Sequence, residues 1–281
     1  MTEMLTIANP LENANLLLNQ LAGCMGETLV EAPTEPLFVG VDVGTANVVS
    51  VVVDTFGTPV AGEITPARVV REGMVTDYLG AVNIVRNHIQ TLTQRLDQEL
   101  FKAASAIPPG TEGGNSKVTR YILEAANLEV TRIIDEPTAA SLVLGIDEGV
   151  VVDVGGGTTG ISVLENGRVI YTADEPTGGF HLDLVIAGNY KISTEEAEVK
   201  KRDPREQAMM FPVVRPVFEK IASIVKQHLK GFHPRSIYLV GGTCSYPGFD
   251  FVIQQETGCQ TFVPQLPYLV TPLGIALSFK E

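Results

Sequence analysis

The chain has no tryptophan, and only 3 cysteines and 4 histidines in 281 residues. Cys24, Cys244 and Cys259 are too few and too scattered for a disulfide framework or a zinc site, and read as reduced thiols acting as small apolar side chains. His88, His181, His228 and His233 show no metal-ligand spacing and are assigned to the surface or to helix packing. Positive charge is also scarce: 20 Lys and Arg against 33 Asp and Glu give a net charge of −13. Phosphate backbones and anionic bilayers need a basic face, so nucleic acid and membrane are excluded as main partners. No apolar run approaches the ~20 residues of a membrane span. The N-terminus carries Glu3 and no basic segment, unlike a signal peptide, and a cytoplasmic location is expected.

What is present is an ordinary globular composition, 44% hydrophobic with 27 Gly and 17 Pro, on a chain long enough for two domains. Within it one turn occurs twice. Val39-Gly40-Val41-Asp42-Val43-Gly44-Thr45 returns as Val151-Val152-Asp153-Val154-Gly155-Gly156-Gly157-Thr158-Thr159. Each copy has an apolar run, an Asp at the strand end, glycine, a hydroxyl residue and a second Val-rich or Ile-rich run. Glycine lets the backbone turn tightly and aim N–H groups at an anion, and threonine adds a hydroxyl donor. Bare phosphate would repel an Asp beside such a nest, so Asp42 and Asp153 make most sense as outer ligands of Mg²⁺. Two facing copies would clamp one nucleotide's phosphate chain from both sides. An acidic protein can hold such a ligand when local N–H groups and Mg²⁺ neutralise it.

The elements around the turns repeat as well. Strands are expected at Phe38–Val43, Val48–Asp54 and Val60–Ile64, then a helix over about Gly80–Leu100, a strand at Ala103–Ile107, a helix at Asn115–Asn127, a strand at Leu128–Ile134 and a helix at Pro137–Leu144. The second half follows the same order: strands at Val150–Val154, Gly160–Leu164 and Val169–Ala173, and helices at Gly179–Gly188, Thr194–Arg202 and Val213–Gly231. A strand at Ser236–Val240 enters Gly241-Gly242-Thr243, and Pro247–Thr257 is helical. The repeated order implies two like domains with a ligand cleft between them. Boundaries are expected at 1–36 (extension and linker), 37–147 and 148–270, with a helix in 271–281 packing back on the first domain. In the extension Leu11, Ala14, Leu18, Leu21 and Met25 fall at helical spacing. That helix either packs on its own body or docks a partner or shell surface. The charged run Glu195–Arg205 reads as a solvated helix.

Four motifs in order resemble the actin, DnaK-type chaperone and sugar-kinase ATPase superfamily. Asp42-Val43-Gly44-Thr45-Ala46-Asn47 resembles its first phosphate loop, Ile134-Asp135-Glu136-Pro137-Thr138-Ala139-Ala140 its connecting segment, Asp153–Thr159 its second phosphate loop, and Leu239-Val240-Gly241-Gly242-Thr243 its adenosine motif. A fuller resemblance, spanning essentially the whole chain, is to the EutJ family of ethanolamine-utilisation proteins. It rests on the first phosphate loop, Val69–Gly73, Ile107-Pro108-Pro109-Gly110-Thr111, Gly155–Gly160, Ala187-Gly188-Asn189 and Ile192–Glu198. The resemblance implies an α/β fold of two ribonuclease-H-like, actin-like ATPase domains around a nucleotide cleft. ATP and Mg²⁺ are the implied ligands. Gly44, Thr45, Asn47, Gly156, Gly157, Thr158 and Thr159 would cradle phosphate, and Gly178 and Gly179 would approach its terminal group. Gly241, Gly242 and Thr243 would meet the adenosine. Asp42 and Asp153 would hold Mg²⁺ through water. Glu136, with Asp153, would act on the water that attacks the γ-phosphate.

Two departures from the superfamily stand out. No chaperone-type peptide-binding domain is expected. The stretch between Arg205 and the helix near Val213 is also too short for the subdomain that relatives insert there, which implies a more open nucleotide site with reduced insertions. The implied function is an ATP-binding, slowly hydrolysing chaperone-like switch. It would act on a protein client, an ethanolamine-pathway enzyme or a component of the protein-shelled microcompartment that houses such enzymes. The alternatives are a non-catalytic nucleotide-binding scaffold, an actin-like assembly protein and, third, a small-molecule kinase.

Overall fold

The computed structural model describes residues 10–26, 33, 36–71, 73–109 and 115–280. Residues 1–9 and most of 27–35 in the expected extension and linker, Glu72 of the Val69–Gly73 segment, and Gly110 and Thr111 lie outside the described residues.

The chain opens with helix α1 (Glu12–Gly23) and continues through strands β1 (Phe38–Val43), β2 (Asn47–Val53), β3 (Pro59–Pro66) and the short β4 (Val70–Arg71) and β5 (Met74–Val75). Helix α2 (Tyr78–Leu96), β6 (Lys102–Ile107), α3 (Asn115–Ala125), β7 (Glu129–Asp135) and α4 (Glu136–Leu144) follow. The second half holds β8 (Gly149–Val154), β9 (Thr159–Glu165), β10 (Arg168–Glu175), α5 (Gly179–Tyr190), α6 (Thr194–Arg202), α7 (Pro204–His228), β11 (Ser236–Val240), α8 (Phe249–Thr257), β12 (Gln260–Phe262) and α9 (Val270–Leu277).

The repeat is structural. One sheet has the order β3-β2-β1-β6-β7 and the other β10-β9-β8-β11-β12. In each, the first three strands are antiparallel neighbours and the last two run parallel to the first. Side chains alternate across each strand. Val39 and Val41 of β1 enter the core beneath α2 and α3, and Val150, Val152 and Val154 of β8 enter the core beneath α5, α7 and α8. The inner faces, with Val49 and Val51 from one sheet and Val151 and Val240 from the other, share a third core with α1, α4 and α9. The layers are thus helix, sheet, helix, sheet, helix. The middle layer requires backbone contact: a Cβ on Gly274 of α9 would overlap the carbonyl of Ala139 in α4, and one on Gly40 would overlap the backbone of Ala276.

Helix α1 packs on its own body. Leu11, Ala14, Leu18 and Leu21 are buried against β3, α4 and α9, which leaves no free apolar stripe for docking. Helix α7 corrects the expected start at Val213, since it begins at Pro204 and runs through Pro212 and Pro216. Those prolines are one turn apart on the exposed face, where water can satisfy the carbonyls they leave unpaired. Only Asp203, which ends α6 and caps α7, separates the two helices, so the stretch expected to be a short loop is helix. The charged run is therefore two capped helices. Strands β4, β5 and β12 carry too few residues to show a period and were not anticipated.

Candidate nucleotide site

The strand ends set the geometry. Asp42 pairs across its hairpin with Val49, and Asp153 pairs with Gly160, each one residue before the turn. The turns Gly44–Asn47 and Gly155–Thr158 have equal length and the same closing bond, Gly44 N–H to Asn47 O at 3.0 Å and Gly155 N–H to Thr158 O at 3.1 Å. They face one another: a Cβ built on Gly156 would stand 3.2 Å from the Ala46 Cβ. The two copies therefore meet across the cleft, and a side chain at Gly156 would make the facing turn give by a few tenths of an ångström.

Between them lies a cluster of carboxylates. Burial pushes Asp42 up to about 7, with the Asp153 charge adding to the rise. Burial pushes Asp153 up to about 6, against a hydrogen bond from the Thr271 hydroxyl at 2.8 Å. Glu136 is held well above the usual carboxylate range by burial and then by the charges of Asp153, Asp42, Asp174 and Asp135. It sits at the start of α4. Asp135 caps that helix, accepting from Thr138 N at 2.9 Å and from the Thr138 hydroxyl at 2.7 Å, so Glu136 is free to face the cleft. Asp174, at the end of β10, is raised by burial and hydrogen-bonded to Thr158. Among the described residues no Lys or Arg pairs with Asp42, Glu136, Asp153 or Asp174.

Several expected phosphate donors are already engaged. Thr159 is buried and its hydroxyl donates to Thr177 O at 2.6 Å, so it braces the strand end instead of facing a ligand. Gly179 N–H donates to Gly155 O at 2.9 Å, and Gly178 N–H to His181 Nδ1 at 3.3 Å. Gly44 N–H closes its own turn. The Thr243 hydroxyl bonds Gly155 O at 2.8 Å, tying the expected adenosine turn to the second phosphate turn. The N–H groups of Thr45, Gly156, Gly157 and Thr158 carry no backbone bond of this kind among the described residues. Gly241 has φ 88° and lies against Asp153, where any Cβ would overlap the carboxylate. It donates its N–H to Pro267 O at 2.9 Å.

Four residues at the site carried no local sequence signal. Asp174 reads as an ordinary strand-end acid, and Thr271 lies far along the chain from Asp153. Lys201, within the charged run, places its ammonium beside the start of α5, bonding Gly179 O at 3.2 Å and pairing with Asp183 at 2.6 Å. Arg68, after β3, reaches α6 across the cleft, to Glu198 at 3.1 Å and Glu195 at 3.4 Å. Only the charge balance between residues so distant could have hinted at that pair.

Among the described residues no three His, Cys, Asp or Glu side chains converge closely enough to ligate a metal ion directly, so a hard divalent cation here would be held through its water shell. The acids offer only oxygen, Asp42, Glu136 and Asp153 are half-buried, and among the described residues no Lys or Arg pairs with them to relieve their repulsion. Two like sheets, paired Gly-rich turns and this cluster define an actin-like ATPase fold. A family model described as type IV pilus assembly protein PilM matches residues 117–269. A crystal structure of MreB5 of Spiroplasma citri bound to ADP superposes with TM-score 0.70 at 18% identity, covering 88% of this chain and 97% of that one. The ethanolamine utilization protein EutJ of Escherichia coli is 44% identical over 93% of each chain. The crystal structure of EutJ from Carboxydothermus hydrogenoformans superposes with TM-score 0.90 at 47% identity, covering 96% of this chain and 99% of that one. The chain belongs to the EutJ family of ethanolamine-utilisation proteins. No helix among the described residues is long and apolar enough to cross a membrane.

Proposed function

We propose that the protein is a cytoplasmic, chaperone-like switch that binds Mg·ATP between its two sheets, hydrolyses it slowly, and thereby changes its hold on a protein client in ethanolamine utilisation. The observation that carries this reading is the set of half-buried acids, Asp42, Glu136 and Asp153, at the meeting point of two anion-seeking turns. Such repulsion is costly unless a cation and its polyphosphate complete it. Asp42 and Asp153 would hold Mg²⁺ through water, and the metal would supply the charge that neutralises phosphate. The N–H groups of Thr45, Gly156, Gly157 and Thr158 donate to the phosphates. With a bound cation offsetting the neighbouring charges, Glu136 would be ionised and could orient the attacking water and accept its proton as the bond from the γ-phosphate to ADP breaks. Lys201, paired with Asp183, stands beside the second turn, and Gly242, with only Tyr268 near its missing side chain, leaves the nucleoside room to lie flat.

The turns stand nearly in contact, so a phosphate chain enters only when the halves part, which links occupancy to domain opening. An enzyme of the pathway, or a component of the microcompartment that houses it, is the client this reading favours. Single-turnover phosphate release from radiolabelled ATP tests it. The wild type should release phosphate once per site, and Glu136→Gln should bind ATP yet release none. Equal rates in the two proteins would reject the assigned role.

A further inference from the structure

Helix α1 is tied to both halves of the molecule. Towards the first half, Cys24 O accepts from Gly62 N–H at 3.2 Å and from Arg95 Nη2 at 2.9 Å, and Gly26 N–H donates to Gly62 O at 3.1 Å. Towards the second, Asn15 Oδ1 accepts from Gln265 N–H at 2.8 Å, and Asn19 Nδ2 donates to Gln265 Oε1 at 2.7 Å. Gln265 lies between Pro264 and Pro267, whose rings restrict the backbone and let a displacement pass along the segment. Pro267 O then accepts the Gly241 N–H, and Tyr268 lies 3.9 Å from where a Gly242 Cβ would be. Gly241 in turn abuts Asp153.

We infer that Asn15 and Asn19 are positioning residues for the nucleotide site: through Gln265 they fix the Pro267–Tyr268 segment against the Gly241–Gly242 turn. The nucleotide part of this inference rests on the function proposed above. Helix α1 is then a strap across the hinge side of the cleft, beside α4 and α9, and its seating sets how firmly the adenosine turn is held. A partner that lifted α1 would loosen that turn without touching the cleft.

The test uses the full chain in three forms: wild type, Asn15→Ala with Asn19→Ala, and Asn15→Asp, which keeps the oxygen acceptor. Both hydrogen bonds are exposed, and their loss corresponds to about a three- to tenfold change. In ligand-free protein, amide exchange at Gly241 should quicken by that factor in the double variant and stay near wild type in Asn15→Asp. Val240 should not change. With Mg²⁺ present, release of a fluorescent ADP should accelerate in the same order. Gln265→Pro, which removes the N–H while leaving α1 intact, should reproduce the double variant. Unchanged Gly241 exchange in both the double variant and Gln265→Pro overturns the inference. If the wild type binds no nucleotide, the proposed function fails, and the exchange measurement still decides the role of α1.

Discussion

Replacing Asp42 with Asn should stabilise the ligand-free protein at alkaline pH. Asp42 titrates at about 7 in the fold, against a reference of 3.8. The folded state therefore holds this proton over a range in which the unfolded chain has lost it. Stability from this group is full below pH ~4, falls as pH rises, and is lost above pH ~7. Three pH units at 1.36 kcal/mol each give about 4 kcal/mol of electrostatic strain at pH 8. Asparagine keeps the shape and removes the charge. For a chain of this size about 4 kcal/mol corresponds to a rise of roughly 8–15 °C in melting temperature. Differential scanning fluorimetry from pH 5 to 9, without divalent ions, gives the comparison. The wild type should lose stability across that range, and Asp42→Asn should lose much less. In Mg·ATP the order narrows or reverses, because only the wild type gains from the metal. If Asp42→Asn melts at or below wild type at pH 8 without metal, the strain assigned to the cluster is absent and the argument for a cation there falls.

Two further outcomes follow from groups outside the cluster. The exposed contacts of Arg68 with Glu195 and Glu198 span the cleft mouth and are weakened by solvent and salt. Arg68→Glu should therefore speed nucleotide release about fivefold in low salt, with the difference shrinking in 0.5 M salt, as stopped-flow fluorescence would record. His88 is buried between the hydroxyls of Ser50 at 3.0 Å and Thr65 at 2.7 Å, and burial lowers it to about 4 from 6.5. Its neutral form is favoured in the fold, so its contribution is present above pH 6.5 and about 3 kcal/mol is lost as pH falls to 4. Urea melts of wild type and His88→Asn across that window should show the wild-type slope flattened in the variant.

Much of the architecture was legible because the same local rule was written twice. Val-rich strands ending in Asp and Gly fixed both hairpins, and the order of elements forecast two sheets with facing turns. Asp42, Glu136 and Asp153 lie at strand and helix ends, and these are the places the sequence marks most clearly. The hydroxyls were harder to place. Thr159 and Thr243 have the chemistry of phosphate donors, but their partners, Thr177 O and Gly155 O, are chosen by tertiary packing that spacing does not reveal. Gly178 and Gly179 open a helix as expected, yet their amides close onto His181 and onto the second turn. Helix α7 begins at Pro204, before the expected Val213, and its inner prolines, Pro212 and Pro216, sit on a solvent-facing surface that tolerates them. The seating of α1 depends on Gln265, far along the chain, and the amphipathic stripe alone left its partner open.

The central claim is that this cleft holds a magnesium nucleotide, and calorimetric titration of the ligand-free protein with ATP tests it most directly. In Mg²⁺ the wild type should bind one ATP per chain, and Asp153→Asn should bind at least tenfold more weakly, the equivalent of about 1.4 kcal/mol. Omitting Mg²⁺ should weaken wild-type binding and leave the variant nearly unchanged. No heat at any temperature, confirmed by the absence of a melting shift in saturating Mg·ATP, would contradict the account.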